Sequence, residues 1–460
     1  MAISAAEQYG IELLNRARLD PVAEAARYGL TLNQNTAGWG TITTAAKQVL
    51  APNQTLDLSA SLHAQWMIDT DTFSHTGINN SDPGQRMTQA GYNFSGGWSW
   101  GENLALASLT GGKNAESVIA FHHQTLMESA GHRVNIMRDS FREIGFSQAL
   151  GSYQGYNTSI TTENFAHRAA VVYVTGVAYT DSNHDNFYSI GEGRGSLRVA
   201  ITGGAVTQTG LAGGYALQTE KVSGIGVDIG SGTSLSHVTL NLSLGNVKLD
   251  LVNGTMLLTS GSMTLGTGAS DATLLGTVNL VLAGNSAANA LHGNSGANQL
   301  YGKLGNDVLR GGAGNDVLRG DEGADSLCGD AGADTLAGGA GADSLRGGLG
   351  NDLLSGGSSN DLLTGSYGND ALIGGTGSDR FIFINGSGVD KITDFSVAQG
   401  DRLLLDNGLW GGSALTDAQI ISRYADVIGG KVVFNFGDAD TLTLTTVTTL
   451  TGLAALIDVI

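Results

Sequence analysis

The sequence predicts a multidomain chain: a mixed helix-and-strand N-terminal domain, a small β-rich stretch, and a parallel β-roll closed by a β-rich cap. Three observations carry this. Nine aspartates stand nine residues apart, at Asp307, Asp316, Asp325, Asp334, Asp343, Asp352, Asp361, Asp370 and Asp379, each five positions after a glycine. A large apolar residue follows two positions after each one, from Leu309 to Phe381. Tryptophan, histidine and helical periodicity are concentrated before about residue 178. The expected division is 1–178 (mixed domain), 179–280 (β-rich module), 281–383 (roll) and 384–460 (cap).

The first domain opens with a helix. Ser4 and Glu7 form a capping box, and Tyr9, Leu13, Leu14 and Ala17 follow at helical spacing until Asp20-Pro21 starts a new segment. A second helix is expected from Asp57 to Thr72, with Leu58, Leu62 and Trp66 as its stripe and His63 beside it as a surface or packing histidine. A third is expected from Ala115 to Ser129, and strands at Glu143 to Gln148 and Ala169 to Tyr179.

Residues 181–192, Asp-Ser-Asn-His-Asp-Asn-Phe-Tyr-Ser-Ile-Gly-Glu, carry the oxygen spacing of an EF-hand loop, with Asp181, Asn183, Asp185 and Glu192 as ligands and Asn186 in the glycine slot. Asparagine tolerates the left-handed turn needed there. The flanks read as strands, so the loop is expected to lead into β structure.

In the roll the unit is G-G-x-G-x-D-x-L-x. Glycine allows the turn, the carboxylate supplies a hard ligand, the leucine points inward, and two units make one coil. Stacked coils put like carboxylates about 4.7–4.9 Å apart, where they repel by roughly 3.5 kcal/mol at an effective dielectric near 20. Multiple Ca2+ ions are therefore expected between coils, because the oxygens available suit calcium and no imidazole or thiolate is nearby. Upstream, Gly284 and Gly293 keep the period while Asn289 and Asn298 replace aspartate, as in coils that stack without strong ligation.

These repeats resemble the RTX family of secreted calcium-binding proteins. Ile392-Thr393-Asp394-Phe395 and Gly400-Asp401-Arg402-Leu403 resemble the capping segment of serralysin-type proteases, yet no H-E-x-x-H protease signature accompanies them. Ile457-Asp458-Val459-Ile460 is similar to uncleaved type I export signals, whereas Met1-Ala2-Ile3-Ser4 begins no N-terminal secretory signal. The resemblance implies an extracellular protein and a type I secretion apparatus as partner. A net charge of −19 argues against nucleic acid, the single cysteine, Cys328, excludes internal disulfides, and no apolar run approaches a membrane span.

Phe73-Ser74-His75-Thr76, Gly101-Glu102-Asn103-Leu104 and Gly131-His132-Arg133-Val134-Asn135-Ile136-Met137, with Leu14-Asn15-Arg16-Ala17-Arg18 before them, resemble the bacterial branch of the CAP (SCP, cysteine-rich secretory) superfamily. That resemblance implies an α/β/α sandwich whose cleft is lined by His75, Glu102 and His132. Two imidazoles and a carboxylate suit zinc binding or acid–base work; equally, they suit a buried polar network. Glu128 is a further candidate, and His122 or His123 could serve in its place. Arg133 is expected to pin a loop or helix end. The functions implied are binding of a small-molecule, lipid or peptide ligand in the cleft, metal-assisted hydrolysis there, or calcium-dependent adhesion.

Overall fold

The computed structural model describes residues 3–109, 114–169, 171–437 and 440–460. Met1 and Ala2, read above for a leader, lie outside them. Two compact units are present, one reaching Gly261 and one dominated by residues 278–460.

The first unit begins with α1 (Ala5–Leu19), capped as expected: Ser4 Oγ accepts from Glu7 N and Glu7 Oε2 accepts from Ser4 N (3.2 and 2.8 Å). Pro21 opens α2 (Pro21–Arg27), with Asp20 as its N-cap. Then follow β1 (Ala51–Pro52), α3 (Gln54–Asp69), α4 (Pro83–Gln89), β2 (Trp98–Ser108), α5 (Ala115–Glu128), α6 (Ala130–Ile136), β3 (Glu143–Tyr153), β4 (Tyr156–Arg168) and β5 (Val172–Tyr179). The expected strand from Ala169 starts three residues later, and position 170 lies outside the described residues. The long β4 and β2 were not anticipated, because their polar residues hide the alternation of a strand.

A four-stranded sheet runs β1-β3-β4-β2. Side chains alternate between its faces. On one face Leu104, Ala149 and Ile160 pack with Ala64 and Met67 of α3. On the other, Ile144, Phe146 and Phe165 pack with Ile11 and Leu14 of α1 and Leu126 of α5. The result is an α/β/α sandwich, and β2 is its edge strand.

The stripe expected on α3 is inverted. Leu58 and Leu62 are 36% and 61% exposed, while Leu56, Ala60, Ala64 and Met67 are fully buried and His63 nearly so. Close approach explains it: a Cβ at Gly145 would lie 2.0 Å from the backbone of Leu56, so only the small-residue face of α3 fits against β3. β5 pairs antiparallel with Gly214–Thr219 and parallel with Val247–Val252, outside the four-stranded sheet. No helix among the described residues is long and apolar enough to cross a membrane.

The second unit is a parallel β-solenoid. Six-residue strands from Gln299–Leu304 to Leu362–Tyr367 pair with the strand eighteen residues onward, so two nonapeptides make one coil, as the period predicts. Leu309, Leu318, Leu327, Leu336, Leu345, Leu354, Leu363, Leu372 and Phe381 form its interior at 0–2% exposure. Ser359 replaces the glycine two residues before Asp361 yet keeps that glycine's backbone, with φ +84°. Left-handed geometry costs a non-glycine residue about 1–2 kcal/mol, partly offset by the greater chain entropy of glycine when unfolded. Ser359→Gly is expected to stabilise the calcium-loaded chain by about 0.5–1 kcal/mol, read as a rise in the urea midpoint. No rise would mean the coil relaxes around the serine.

Beyond the repeats the ladder continues past the nonapeptide spacing. Asp394 accepts from Gly374 N and Gly375 N (2.9 and 2.7 Å), tying the expected capping segment to the last full coil. The final strand, Ile457–Val459, pairs with Arg402–Leu405, and Arg402 holds Asp458 in a bidentate pair with both contacts at 2.5 Å.

Candidate functional site

Glu102 sits on β2 opposite Asn164 of β4, on the face covered by α3. Its carboxylate is buried, with a side chain 1% exposed. His75 Nδ1 donates to Oε1 (2.9 Å), and Arg86 Nη2 of α4 donates to Oε2 (2.6 Å). Arg86 Nη1 also holds the carbonyls of His75 and Ser81 (2.9 and 2.8 Å). Asn164 Nδ2, in the amide orientation that satisfies both of its atoms, donates to Oε2 at 3.2 Å. The His75 side chain is 54% exposed. A buried, charge-balanced carboxylate thus presents one face of an imidazole to solvent.

His63 is part of this cluster and not a surface residue. Its Nε2 donates to Ser74 O (2.9 Å) and lies 4.0 Å from Glu102 Oε1, and its ring stacks on Trp66 at 5.5 Å. Burial lowers its pKa despite Glu102, so the ring is neutral, and its buried Nδ1 has no partner.

His132, on α6, approaches from the other side of the edge strand. Its Nδ1 bonds Ser129 Oγ (2.9 Å), and its carbonyl accepts from Asn103 Nδ2 (3.4 Å). Burial and the nearby His75 both lower its pKa. Asn103 Nδ2 also donates to Glu163 Oε2 (3.0 Å), a fully buried carboxyl that burial pushes up to about 8. Glu163 escaped the sequence reading; it stands directly across from Asn103, a pairing visible only once β2 and β4 are in register.

The remaining candidates lie elsewhere. Glu128 is exposed, and its Oε1 accepts from Gln124 Nε2 (2.8 Å). His122 bonds Ser159 Oγ and His123 bonds Glu24 Oε1 (2.9 Å each), both buried, so neither stands in for Glu128. Arg133 is a pin, as expected: it is fully buried and donates to the carbonyls of Leu32, Gln34, Met127 and Glu128. Among the described residues no three His, Cys, Asp or Glu groups converge as a metal site.

In loop 181–192, Asn186 takes φ +56°, the left-handed turn expected of its slot. Asp181 accepts from Asp185 N and Asn186 N (3.2 Å each), Asp185 from Phe187 N (2.8 Å), and Glu192 from Ser182 N and Ser189 N (2.8 and 2.9 Å). These carboxylates are held by backbone amides and do not converge as one ligand set.

In the roll, one oxygen of each aspartate accepts the backbone N–H of the aspartate, or asparagine, one coil earlier, as from Asp307 N to Asp325 Oδ1 (2.8 Å). The other oxygen is buried without a partner in all nine, from Asp307 to Asp379. A Cβ on Gly302 would lie 2.3 Å from Asp307 Oδ2 and 2.7 Å from the carbonyl oxygen of Gly320. Carboxylate and carbonyl oxygens thus face one cradle, and this recurs along the stack. A hard divalent cation suits that donor set. At Asn289 the pattern stops, because Oδ1 accepts from Asn285 N and Nδ2 donates to Ser270 O (2.8 and 2.9 Å). At the far end Asp390 and Asp401 accept from Asp370 N and Asp379 N (2.8 and 3.0 Å), continuing both columns into the cap.

A CAP-type α/β/α domain and a cation-binding β-roll therefore share this chain. Family models agree: residues 11–177 are a CAP domain of the cysteine-rich secretory protein family, and residues 292–327, 329–363 and 346–381 are RTX calcium-binding nonapeptide repeats. No curated protein matches the chain. Fourteen solved chains do. An extracellular SCP-domain protein from Bacillus anthracis is 26% identical (TM-score 0.21) over 26% of this chain and 35% of that one. An outer surface protein from Borrelia burgdorferi is 21% identical (TM-score 0.20), covering 26% and 78%. An extracellular lipase from Serratia marcescens is 18% identical (TM-score 0.20), covering 42% and 40%.

Proposed function

We propose that this is an exported calcium-binding protein in which the CAP domain binds a small organic ligand at His75, with Glu102 orienting that imidazole and His132 completing the cleft, while a calcium-folded roll serves the passage out of the cell. One observation carries the reading: an exposed imidazole is anchored at 2.9 Å on a buried carboxylate that Arg86 already neutralises. Holding that geometry costs burial of a charge, which a purely structural surface histidine would not require. Loop 181–192 serves as an additional calcium site, its carboxylates exchanging backbone amides for the ion. The domain division at about 178, 280 and 383 belongs to the same proposal. Export through a type I apparatus follows from a roll that stays unfolded until external calcium is met.

Native mass spectrometry tests the cleft. Calcium-loaded chain and the His75→Ala/His132→Ala variant are exposed to a small-molecule extract of culture medium, and compounds held only by the former identify the ligand. Identical retained sets would sink the reading. Hydrolysis is the second reading, favoured because Glu102 on Nδ1 leaves Nε2 free for proton transfer. It requires a turnover that Glu102→Gln abolishes without unfolding the domain.

A further inference from the structure

A second recess lies on the other side of α4 from the buried pair. It encloses about 680 Å3 between α4 and the start of β2, and Ser81, Gln85, Gln89, Phe94, Trp98 and Trp100 contribute to its walls. That volume is within the range, about 300–1,000 Å3, of sites that take a small organic molecule. Trp98 is 54% exposed, and its ring sits 5.2 Å from Phe94 at 51°. Exposing so much indole is unfavourable unless something covers it.

The polar lining is nearly uncharged. Asp82 is the one ionisable wall residue, and its Oδ1 is committed to Gln85 N (2.8 Å) in the α4 capping box. The other polar groups are amides and hydroxyls, which both donate and accept. Gln85, Thr88 and Gln89 stand exposed along the recess.

We propose that this groove binds a short neutral oligosaccharide. A pyranose ring has an apolar C–H face that lies against an aromatic ring, and a rim of hydroxyls that each donate and accept. Phe94, Trp98 and Trp100 supply the first surface, and Gln85, Thr88 and Gln89 supply the second. A proline-rich segment would use the aromatic wall but offers mainly acceptors, leaving the lining's own acceptors unpaired. An anionic ligand finds no counter-charge, and would meet the Asp82 carboxylate.

The site is distinct from the His75 cleft, so the test is chosen to keep them apart. Intrinsic tryptophan fluorescence of the calcium-loaded whole chain is titrated with cellotriose, maltotriose and chitotriose. At least one is expected to give a saturable shift at millimolar concentration, weakened about tenfold by Trp98→Ala and left unchanged by His75→Ala. Trp98→Phe, which keeps a ring, is expected to weaken binding less and decides the matter should Trp98→Ala misfold. No saturable response to any of the three, an unaltered affinity in both Trp98 variants, or binding of a proline-rich decapeptide in their place would overturn the assignment.

Discussion

Chelating calcium from the intact chain at neutral pH is expected to abolish the β signal of the roll while the core of the first unit persists. The reason lies in the carboxylate columns. Burial, then the neighbouring aspartates, push Asp307, Asp316, Asp334, Asp343 and Asp352 up to about 6, with backbone N–H bonds opposing only in part. Each such carboxylate, ionised at pH 7, costs the metal-free roll roughly 3 kcal/mol, and a handful exceeds the net stability of about 5–15 kcal/mol that a domain commands. The leucine interior cannot make up that difference, so the cation is part of the fold. The pH dependence has a definite sign. A carboxyl whose pKa is raised by folding favours the folded state below its unfolded value, near 3.8, and loses that contribution as pH rises through about 6. Chelated protein is therefore expected to regain β structure on acidification toward pH 4, whereas calcium-loaded protein loses its ions over the same interval. Far-UV circular dichroism across pH, with and without chelator, reads both; a chelated roll unchanged at pH 7 would refute the argument.

How legible this was depends on where the determining contacts lie. The roll's period sits in adjacent residues, so its coil size, leucine interior and ligand columns were all readable from the chain. The columns' last members were not. Asp390 and Asp401 take the next places after Asp370 and Asp379 but arrive twenty and twenty-two residues later, since short insertions break the count. Gly388-Val389-Asp390-Lys391-Ile392 keeps the glycine, aspartate and inward apolar residue at the repeat's spacing, with isoleucine for leucine, and could have revealed the first of them. In the CAP domain three short motifs singled out His75 and Glu102, which the fold brings to 2.9 Å, but their supporting residues have no local signature. Arg86 lies in an unremarkable seven-residue helix, and the buried face of α3, with His63 packed on Trp66, was misjudged for its apolar stripe. Helical spacing offered two apolar stripes there, and the larger leucines favoured the wrong one. Packing distance to β3 chose the alanines, and distance is not written in periodicity.

Arg86→Met is expected to destabilise the first unit by about 3–5 kcal/mol, a larger effect than removing either histidine. Arg86 is 7% exposed and makes three bonds at once, to the Glu102 carboxylate and to the carbonyls of His75 and Ser81. Methionine fills similar volume but leaves Glu102 buried with an imidazole and an amide as its remaining partners. Most of the loss is thus the cost of an unbalanced buried charge and not of packing. Adding Glu102→Gln separates the two contributions. A neutral amide needs no counter-ion, so the double variant should recover more than half of the stability lost, and the coupling energy of the cycle then measures the ion pair. Urea unfolding of the calcium-loaded chain, followed through the tryptophans, supplies the four values. A single-variant cost below about 1 kcal/mol would place Arg86 among ordinary surface pairs. Strict additivity in the double variant would show that Glu102 does not depend on it, and the oriented imidazole of His75 would then lose its physical basis.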